Sequence, residues 1–324
     1  MSEAAYIGRV HPEVDIEQSL RVAAEELELG EPGEVQVIQS GYEDLVMKWQ
    51  TSLGAHAVKF FAAHRTPSDL ERIDSVLTHI TSPGVAVRHP ALRESTNDSF
   101  KYLHFPGNAR QALIVMDWIT PGPLTLNDDM PDEVELEDLA EQLARLHQAA
   151  TDTTPVESPW LLSGMTAEYP NVANQLPAEL RVVLDPIIDM YSEVEEVILP
   201  RAFVHGDLFG SNVLRGETQT LHIIDFSKAS HHPRLYELAV TVANLLFNPD
   251  HPEDRRLARF FIDSYDQLTP LNDTEWELLP KYVLAAHAST LFAAARNDAA
   301  GLHTKENDAH RRIGAQGIAH PFQL

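Results

Sequence analysis

Cysteine is absent from the 324 residues, which excludes a disulfide framework, thiolate chemistry and cysteine-ligated zinc. No apolar run approaches the roughly 20 residues that a membrane-spanning helix needs. The opening Met-Ser-Glu-Ala-Ala-Tyr lacks the basic start and apolar core of a secretory signal, so the expected location is cytoplasmic. Basic residues are scarce: 24 Lys and Arg stand against 49 Asp and Glu, a formal net charge of −25. A field of that sign repels nucleic acid and anionic membrane, so neither is an expected partner, and it favours a cationic ligand. Solubility or a salty habitat would account for the acidity equally well. The chain also lacks Gly-x-x-x-x-Gly-Lys-[Ser/Thr], Gly-x-Gly-x-x-Gly and His-Glu-x-x-His, which leaves P-loop, dinucleotide and zinc-hydrolase readings without support.

What is present is an ordered change of pattern along the chain. Residues 15–29 read as a helix with an acidic outer face, stopped by Gly30 and Pro32. Strand-like stretches follow at 34–40, 44–50 and 55–61, and in the second Leu45, Met47 and Trp49 share a face. Residues 66–81 read as a helix, with Thr66 as N-cap, Pro67 in first position and Asp69 in the first turn. Further strands are expected at 85–88, 100–105 and 111–118, and a turn at Pro121-Gly122-Pro123. Beyond it, Leu139, Leu143, Leu146 and Ala150 keep helical spacing, and 236–247 and 281–296 are apolar nearly all round, as buried helices are. The expected fold class is α+β and bilobal. Residues 1–118 form an antiparallel sheet with one helix and bind nucleotide, and residues 119–324 form a mostly helical lobe with the catalytic loop and substrate site.

Two short strand-like pieces, 201–204 and 221–224, each deliver polar residues at their ends. Residues 204–214 read Val-His-Gly-Asp-Leu-Phe-Gly-Ser-Asn-Val-Leu and 223–226 read Ile-Ile-Asp-Phe. Asp207, Asn212 and Asp225 are the parts needed to move a phosphoryl group. One carboxylate accepts the proton of an attacking hydroxyl, and the amide with the other carboxylate holds Mg²⁺ on nucleotide phosphates. The spacing from Asp207 to Asn212 matches the protein-kinase catalytic loop. Asp225 ends an apolar run, where an unpaired carboxylate is costly and metal ligation removes the cost. His205 is read as structural, donating to backbone or to the neighbourhood of the metal-binding aspartate.

Lys59 lies between apolar neighbours in Ala-Val-Lys-Phe-Phe and needs an anionic partner. The expectation is that it bridges ATP phosphates and a carboxylate of helix 66–81, with Glu71 chosen and Asp74 or Asp69 as alternatives. Ser40 and Gly41, joining the first two strands, are candidate phosphate contacts. Backbone groups of Asp117 and Ile119, at the end of the last strand of the first lobe, are candidates for the adenine edge.

These residues resemble the aminoglycoside phosphotransferase/choline kinase-like family, which includes homoserine, fructosamine, hydroxylysine and methylthioribose kinases. The resemblance rests on 204–214 and 223–226, supported by Arg-Leu-Tyr-Glu-Leu-Ala at 234–239, Val-Met-Asp-Trp-Ile-Thr-Pro-Gly at 115–122 and Leu-Ala-Arg-Leu-His at 143–147. It implies a protein-kinase-like fold and ATP-dependent phosphorylation of a small-molecule hydroxyl, with Asp207 as base, Asn212 and Asp225 on Mg²⁺, and Lys59 on the phosphates. The acceptor is expected to bear an amine, as an aminoglycoside, a hydroxy amino acid such as homoserine, or an amino alcohol. Ser227 stands where protein kinases have the glycine of Asp-Phe-Gly. His-Gly-Asp in place of His-Arg-Asp and the lack of Ala-Pro-Glu speak against a eukaryotic-type protein kinase. The rival reading is a pseudokinase or ATP-binding module. Oligomeric state is not legible.

Overall fold

A computed structural model describes residues 15–38, 44–62, 64–93, 101–104, 110–120, 122–124, 130–149, 156, 158, 161–195, 197–218, 220–301 and 303–323. The chain divides into two compact units, Met1–Ser75 with His89–Thr120, and Val76–Arg88 with Pro121–Leu324. No helix among the described residues is long and apolar enough to cross a membrane.

The first unit is built on a five-stranded sheet of order β1-β2-β3-β5-β4, comprising β1 (Pro32–Ile38), β2 (Leu45–Thr51), β3 (Gly54–Phe60), β4 (Lys101–His104) and β5 (Arg110–Asp117). Every pairing is antiparallel. Helix α1 (Ile16–Glu26) starts where the Asp15 carboxylate accepts the Gln18 N–H at 3.0 Å. It lays Leu20, Ala23 and Ala24 in one core with Leu45, Met47 and Trp49. The alternation of β2 therefore sorts residues as the sequence predicts, with Leu45, Met47 and Trp49 in an apolar core and the half-buried Val46 and Lys48 on the other face. Helix α2 (Pro67–Thr81) begins with the expected cap. Thr66 Oγ1 accepts the Asp69 N–H at 3.2 Å, and Asp69 accepts the Thr66 N–H at 2.7 Å.

Residues 85–88, expected as a strand, are irregular. Ala86 takes a positive φ of 48°, and the Arg88 N–H donates to the Gln142 side chain at 2.8 Å. Arg88 O accepts from Ile223 N at 2.8 Å. The apolar run serves as a connector pinned by side chains, and the bridge to β5 forms instead at Leu92, opposite Met116.

The second unit is mostly helical. Helix α3 (Glu133–Gln148) buries Leu136, Leu139, Leu143 and Leu146. Helix α4 spans Leu162–Val172, α5 Ala178–Glu195, α6 Arg234–Val240, α7 Arg256–Leu268, α8 Asp273–Ala299 and α9 Lys305–Ala319. Helix α6 runs on into a single π-type turn, Thr241–Leu245. Helix α8 is the hub, touching α4, α5, α6 and α9. Two small antiparallel sheets interrupt the helices. β7 (Arg201–Val204) pairs with β10 (Ser230–Pro233), and β8 (Val213–Arg215) lies between β6 (Gly122–Pro123) and β9 (Leu221–Ile223). These short strands carry the polar motifs.

Candidate active site

The chain leaves β7 through His205-Gly206-Asp207, and packing dictates each residue. Gly206 has φ of +82°, and a β-carbon there would stand 3.1 Å from the Leu161 side chain and 3.2 Å from Lys228 O, so only glycine fits. His205 is fully buried, with its Nε2 2.8 Å from Ile224 O and its Nδ1 accepting the Asp207 N–H at 3.1 Å. The accepting Nδ1 fixes the tautomer with the proton on Nε2. As the sequence suggests, His205 is structural, and it ties the Asp207 loop to the Asp225 segment. The buried Phe226 ring meets the imidazole edge-on at 4.6 Å.

Beneath the loop lies the fully buried Glu237 of α6. One of its oxygens accepts the backbone N–H groups of His205 and Gly206, and the other, Oε1, is buried with no hydrogen-bond partner. Burial pushes this carboxyl up to about 7; the two backbone bonds pull it down and the charge of Asp207 adds to the rise. The neighbouring Tyr236 hydroxyl donates to Gly206 O at 3.0 Å and accepts from Leu162 N at 2.8 Å. Neither residue had a role assigned from sequence. Their signal was the Arg-Leu-Tyr-Glu-Leu-Ala run, legible as a motif but not as a foundation under the loop.

Asp207 is half-buried at the loop's head. The Asn212 amide nitrogen donates to Asp207 O at 2.7 Å and lies 3.4 Å from its Oδ2. Phe209 stands between them, its N–H on Asp207 O at 3.0 Å and its carbonyl accepting the Asn212 N–H at 2.8 Å. The β8–β9 hairpin then returns the chain, and Ile224 N donates to Asn212 O at 2.9 Å. Asp225 follows with φ 63° and ψ 58°. A left-handed non-glycine residue of this kind clusters at functional sites, where the surroundings hold the strain. Asp207, Asn212 and Asp225 thus belong to one bonded assembly.

Could this set hold a metal? With its nitrogen committed to Asp207, the Asn212 amide has its oxygen on the opposite edge, the atom a hard cation takes. Among the described residues no cluster of three or more His, Cys, Asp or Glu side chains could cage a metal. Magnesium is commonly held by one or two carboxylates together with substrate phosphates. The oxygens of Asn212 and Asp225 fit that chemistry.

In the first unit, Lys59 is on the central strand β3, opposite Val46 and Ile114, and is buried. Its carboxylate is not Glu71. Lys59 Nζ lies 3.2 Å from Asp44 Oδ2, which also accepts from Arg65 at 3.3 Å, while Asp44 Oδ1 accepts the Ala62 N–H at 2.9 Å. The reason is helical phase. Helix α2 turns Leu70, Ile73, Val76, Leu77 and Ile80 inward, which leaves Glu71 exposed. Asp69, one alternative, is spent on the Thr66 cap. In sequence Asp44 reads only as the start of a strand. Ser40 and Gly41 lie outside the described residues. The Asp117 side chain pairs with Arg93 and its N–H donates to Ala91 O at 2.9 Å, so of its backbone only the carbonyl is available for a nucleotide edge. Among the described residues, Ile119 makes no backbone hydrogen bond.

In sequence, the acidic residues Asp298, Glu306 and Asp308 could hold an ammonium group or equally be solvated surface charge. Asp298 instead pairs with Arg311 and, at 3.1 Å, His303, and Asp308 pairs with Arg311 at 2.8 Å. Their charge is met within the protein.

Comparison with known proteins gives the family and the fold. Residues 34–271 match the model of the phosphotransferase enzyme family, APH. A homoserine kinase of Bradyrhizobium sp. (strain ORS 278) is 26% identical over 286 residues, 85% of each chain. A homoserine kinase of Methylobacillus glycogenes is 25% identical over 304 residues, 92% of each chain. Among solved structures, the amicoumacin kinase hAmiN in complex with AMP-PNP, Ca²⁺ and Ami superposes with a TM-score of 0.67 at 14% identity, covering 99% of this chain and 97% of that one. A microcompartment-associated aminopropanol kinase gives a TM-score of 0.67 at 13% identity, with 93% and 95% covered. At such identities the structural likeness speaks for the kinase-like fold.

Proposed function

The chain belongs to the phosphotransferase enzyme family and is a small-molecule kinase, and on that premise we propose that it transfers a phosphoryl group from ATP, with Mg²⁺, to the hydroxyl of a small molecule that bears an amine. The observation that carries this reading is the bonded assembly of Asp207, Asn212 and Asp225. Asp207 accepts the proton of the attacking hydroxyl. Its backbone is held by His205, Phe209 and Asn212, so the carboxylate meets the substrate without reorganising. The Asn212 amide oxygen and the Asp225 carboxylate would hold the metal, which would supply positive charge against the phosphates. Lys59, pinned by Asp44 on a central strand of the first unit, is a fixed cation suited to nucleotide phosphates. The Asp117 carbonyl and the backbone of Ile119 suit the adenine edge.

The amine is supported by two independent considerations. Relatives over most of the chain are homoserine kinases, whose named substrate is a hydroxy amino acid. The net charge of −25 raises the local concentration of cations over anions. The test is ADP release with Mg²⁺ across L-homoserine, ethanolamine, choline and an aminoglycoside. The parent phosphorylates at least one of these. Asp207→Asn keeps ATP affinity and loses roughly 10²-fold or more in turnover, the scale of a lost general base. An Asp207→Asn variant of undiminished rate rejects the assignment.

A further inference from the structure

The two faces of the sheet in the first unit are covered differently. Val46 of β2 stands opposite Lys59 of β3, so Lys59 shares a face with Val46 and Lys48. Leu45, Met47 and Trp49 belong to the other face, beneath helix α1. There the packing is incomplete. A cavity of about 900 Å³ opens between α1 and the strands, lined by Leu20 of α1, Val35 and Val37 of β1, and Met47 and Trp49 of β2. The register sets Val35 beside Trp49 and Val37 beside Met47, so these four make one apolar wall. The volume is that of a small-molecule site, roughly 300–1,000 Å³.

Trp49 gives the wall a polar point. It is fully buried, and its indole Nε1–H has no hydrogen-bond partner. Among the described residues with such an orphaned buried atom, it alone lines this cavity. An indole N–H only donates, and a buried donor left unmade is destabilising. The acceptor it lacks has to come from what fills the cavity. The charged residues lining the cavity are Glu17, Glu25 and Glu31 with a single cation, Arg21. Arg21 pairs with Glu17, one turn away on α1. Glu25 and Glu31 have no cationic partner among the described residues. The backbone of Glu31 is fixed, since its N–H donates to Ser52 Oγ and its carbonyl accepts the Ser52 N–H, both at 3.0 Å.

We propose that this cavity is a second binding site, for a small organic cation with an apolar body and a hydrogen-bond-accepting oxygen. The body lies on Val35, Val37 and Met47, the oxygen accepts from Trp49, and the cation meets Glu25 and Glu31. The site is on the face away from Lys59, so it is separate from the phosphates proposed for that lysine and does not depend on the kinase reading.

Procaine carries the three features together. Benzocaine has the same aminobenzoyl ester without the cation, and para-aminobenzoate puts an anion in its place. Binding is measured by calorimetry with and without saturating Mg²⁺ and AMP-PNP. It is followed in parallel through the indole N–H resonances of the four tryptophans in isotope-labelled protein, where the Trp49 signal is the one missing from Trp49→Phe. The expected result is that procaine shifts the Trp49 resonance and binds roughly threefold tighter than benzocaine, the scale of exposed ion pairs. Para-aminobenzoate binds most weakly. Trp49→Phe weakens procaine roughly threefold to tenfold, the scale of one hydrogen bond. Glu25→Gln combined with Glu31→Gln makes procaine and benzocaine bind alike. Val35→Trp, which fills the cavity from an exposed position on the edge strand, abolishes binding and leaves KM for ATP unchanged. A Trp49 resonance that procaine does not move, an undiminished affinity in Val35→Trp, or benzocaine bound as tightly as procaine each overturns the proposal. Loss of procaine binding when AMP-PNP is present assigns it to the nucleotide site and also overturns it. So does a parent that binds none of the three compounds, its groove being covered by another part of this chain or by a second copy.

Discussion

Glu237 is held where water does not reach, with one oxygen on two backbone N–H groups and the other on nothing. Its proton is bound more tightly in the folded protein than in the unfolded chain, because burial lifts the carboxyl to about 7. A group raised in this way lends stability that is full below the usual carboxylate range and is lost as pH rises through about 7. At ~1.4 kcal/mol per unit, the loss from this one group is on the order of 3 kcal/mol. Glu237→Gln keeps an oxygen for the two N–H donors and removes the titration. Urea unfolding at pH 5 and pH 8 is expected to show a larger fall with pH in the parent than in the variant; equal falls would show that Glu237 stays ionised. At this scale the sequence was legible in chemistry and not in partner. That Lys59 needs a carboxylate followed from the price of a buried ammonium, but which carboxylate depended on the phase of a helix, and Asp44 was chosen by geometry that no local pattern records.

The crossing of helices α8 and α9 depends on two glycines. A β-carbon on Gly317 would stand 2.1 Å from His287 Nδ1, and one on Gly314 would stand 2.7 Å from His287 O. His287 is buried against Phe247, with ring centroids 4.7 Å apart, and has no room to retreat. Gly317→Ala gains up to ~1 kcal/mol of helix propensity and meets an overpacking penalty of about 1–3 kcal/mol or more. A net loss of stability is therefore expected by thermal or urea unfolding, with Gly84→Ala, where an added carbon meets nothing within 4 Å, as the near-neutral control. A stabilised Gly317→Ala would mean that the helices can slide apart. The same crossing explains why α9 was not read from sequence. Its glycines and polar surface hide the periodicity that marks an ordinary packed helix. Helix α8 was read only from residue 281 because Pro280 looks like a boundary, whereas the helix starts at Asp273. An Asn272–Glu275 capping box, with bonds of 2.9 and 3.0 Å, holds its start, and the proline is carried in its interior.

For the molecule as a whole, the formal charge of −25 sets a self-repulsion that salt relieves. The Debye length shrinks from roughly 30 Å at 0.01 M to about 3 Å at 1 M. The melting temperature is expected to rise by several degrees between 10 mM and 500 mM NaCl, checked by calorimetry. A fall would mean that attractive pairs such as Arg234 with Glu275, at 2.7 Å, outweigh the net repulsion. The fold class was open to reading at this scale because α+β patterning and two polar motifs recur in fixed order. The acceptor was not, since the C-terminal helices carry no motif that marks a substrate.

One more consequence lies in His205. Its ring bridges two segments, with a bond to Ile224 on one side and from Asp207 on the other, and it is shut off from solvent. A proton in that position exchanges with water only when the segments part. The imidazole Nε2–H is thus a built-in gauge: the exchange lifetime of one nuclear resonance records how often the two halves of the assembly separate.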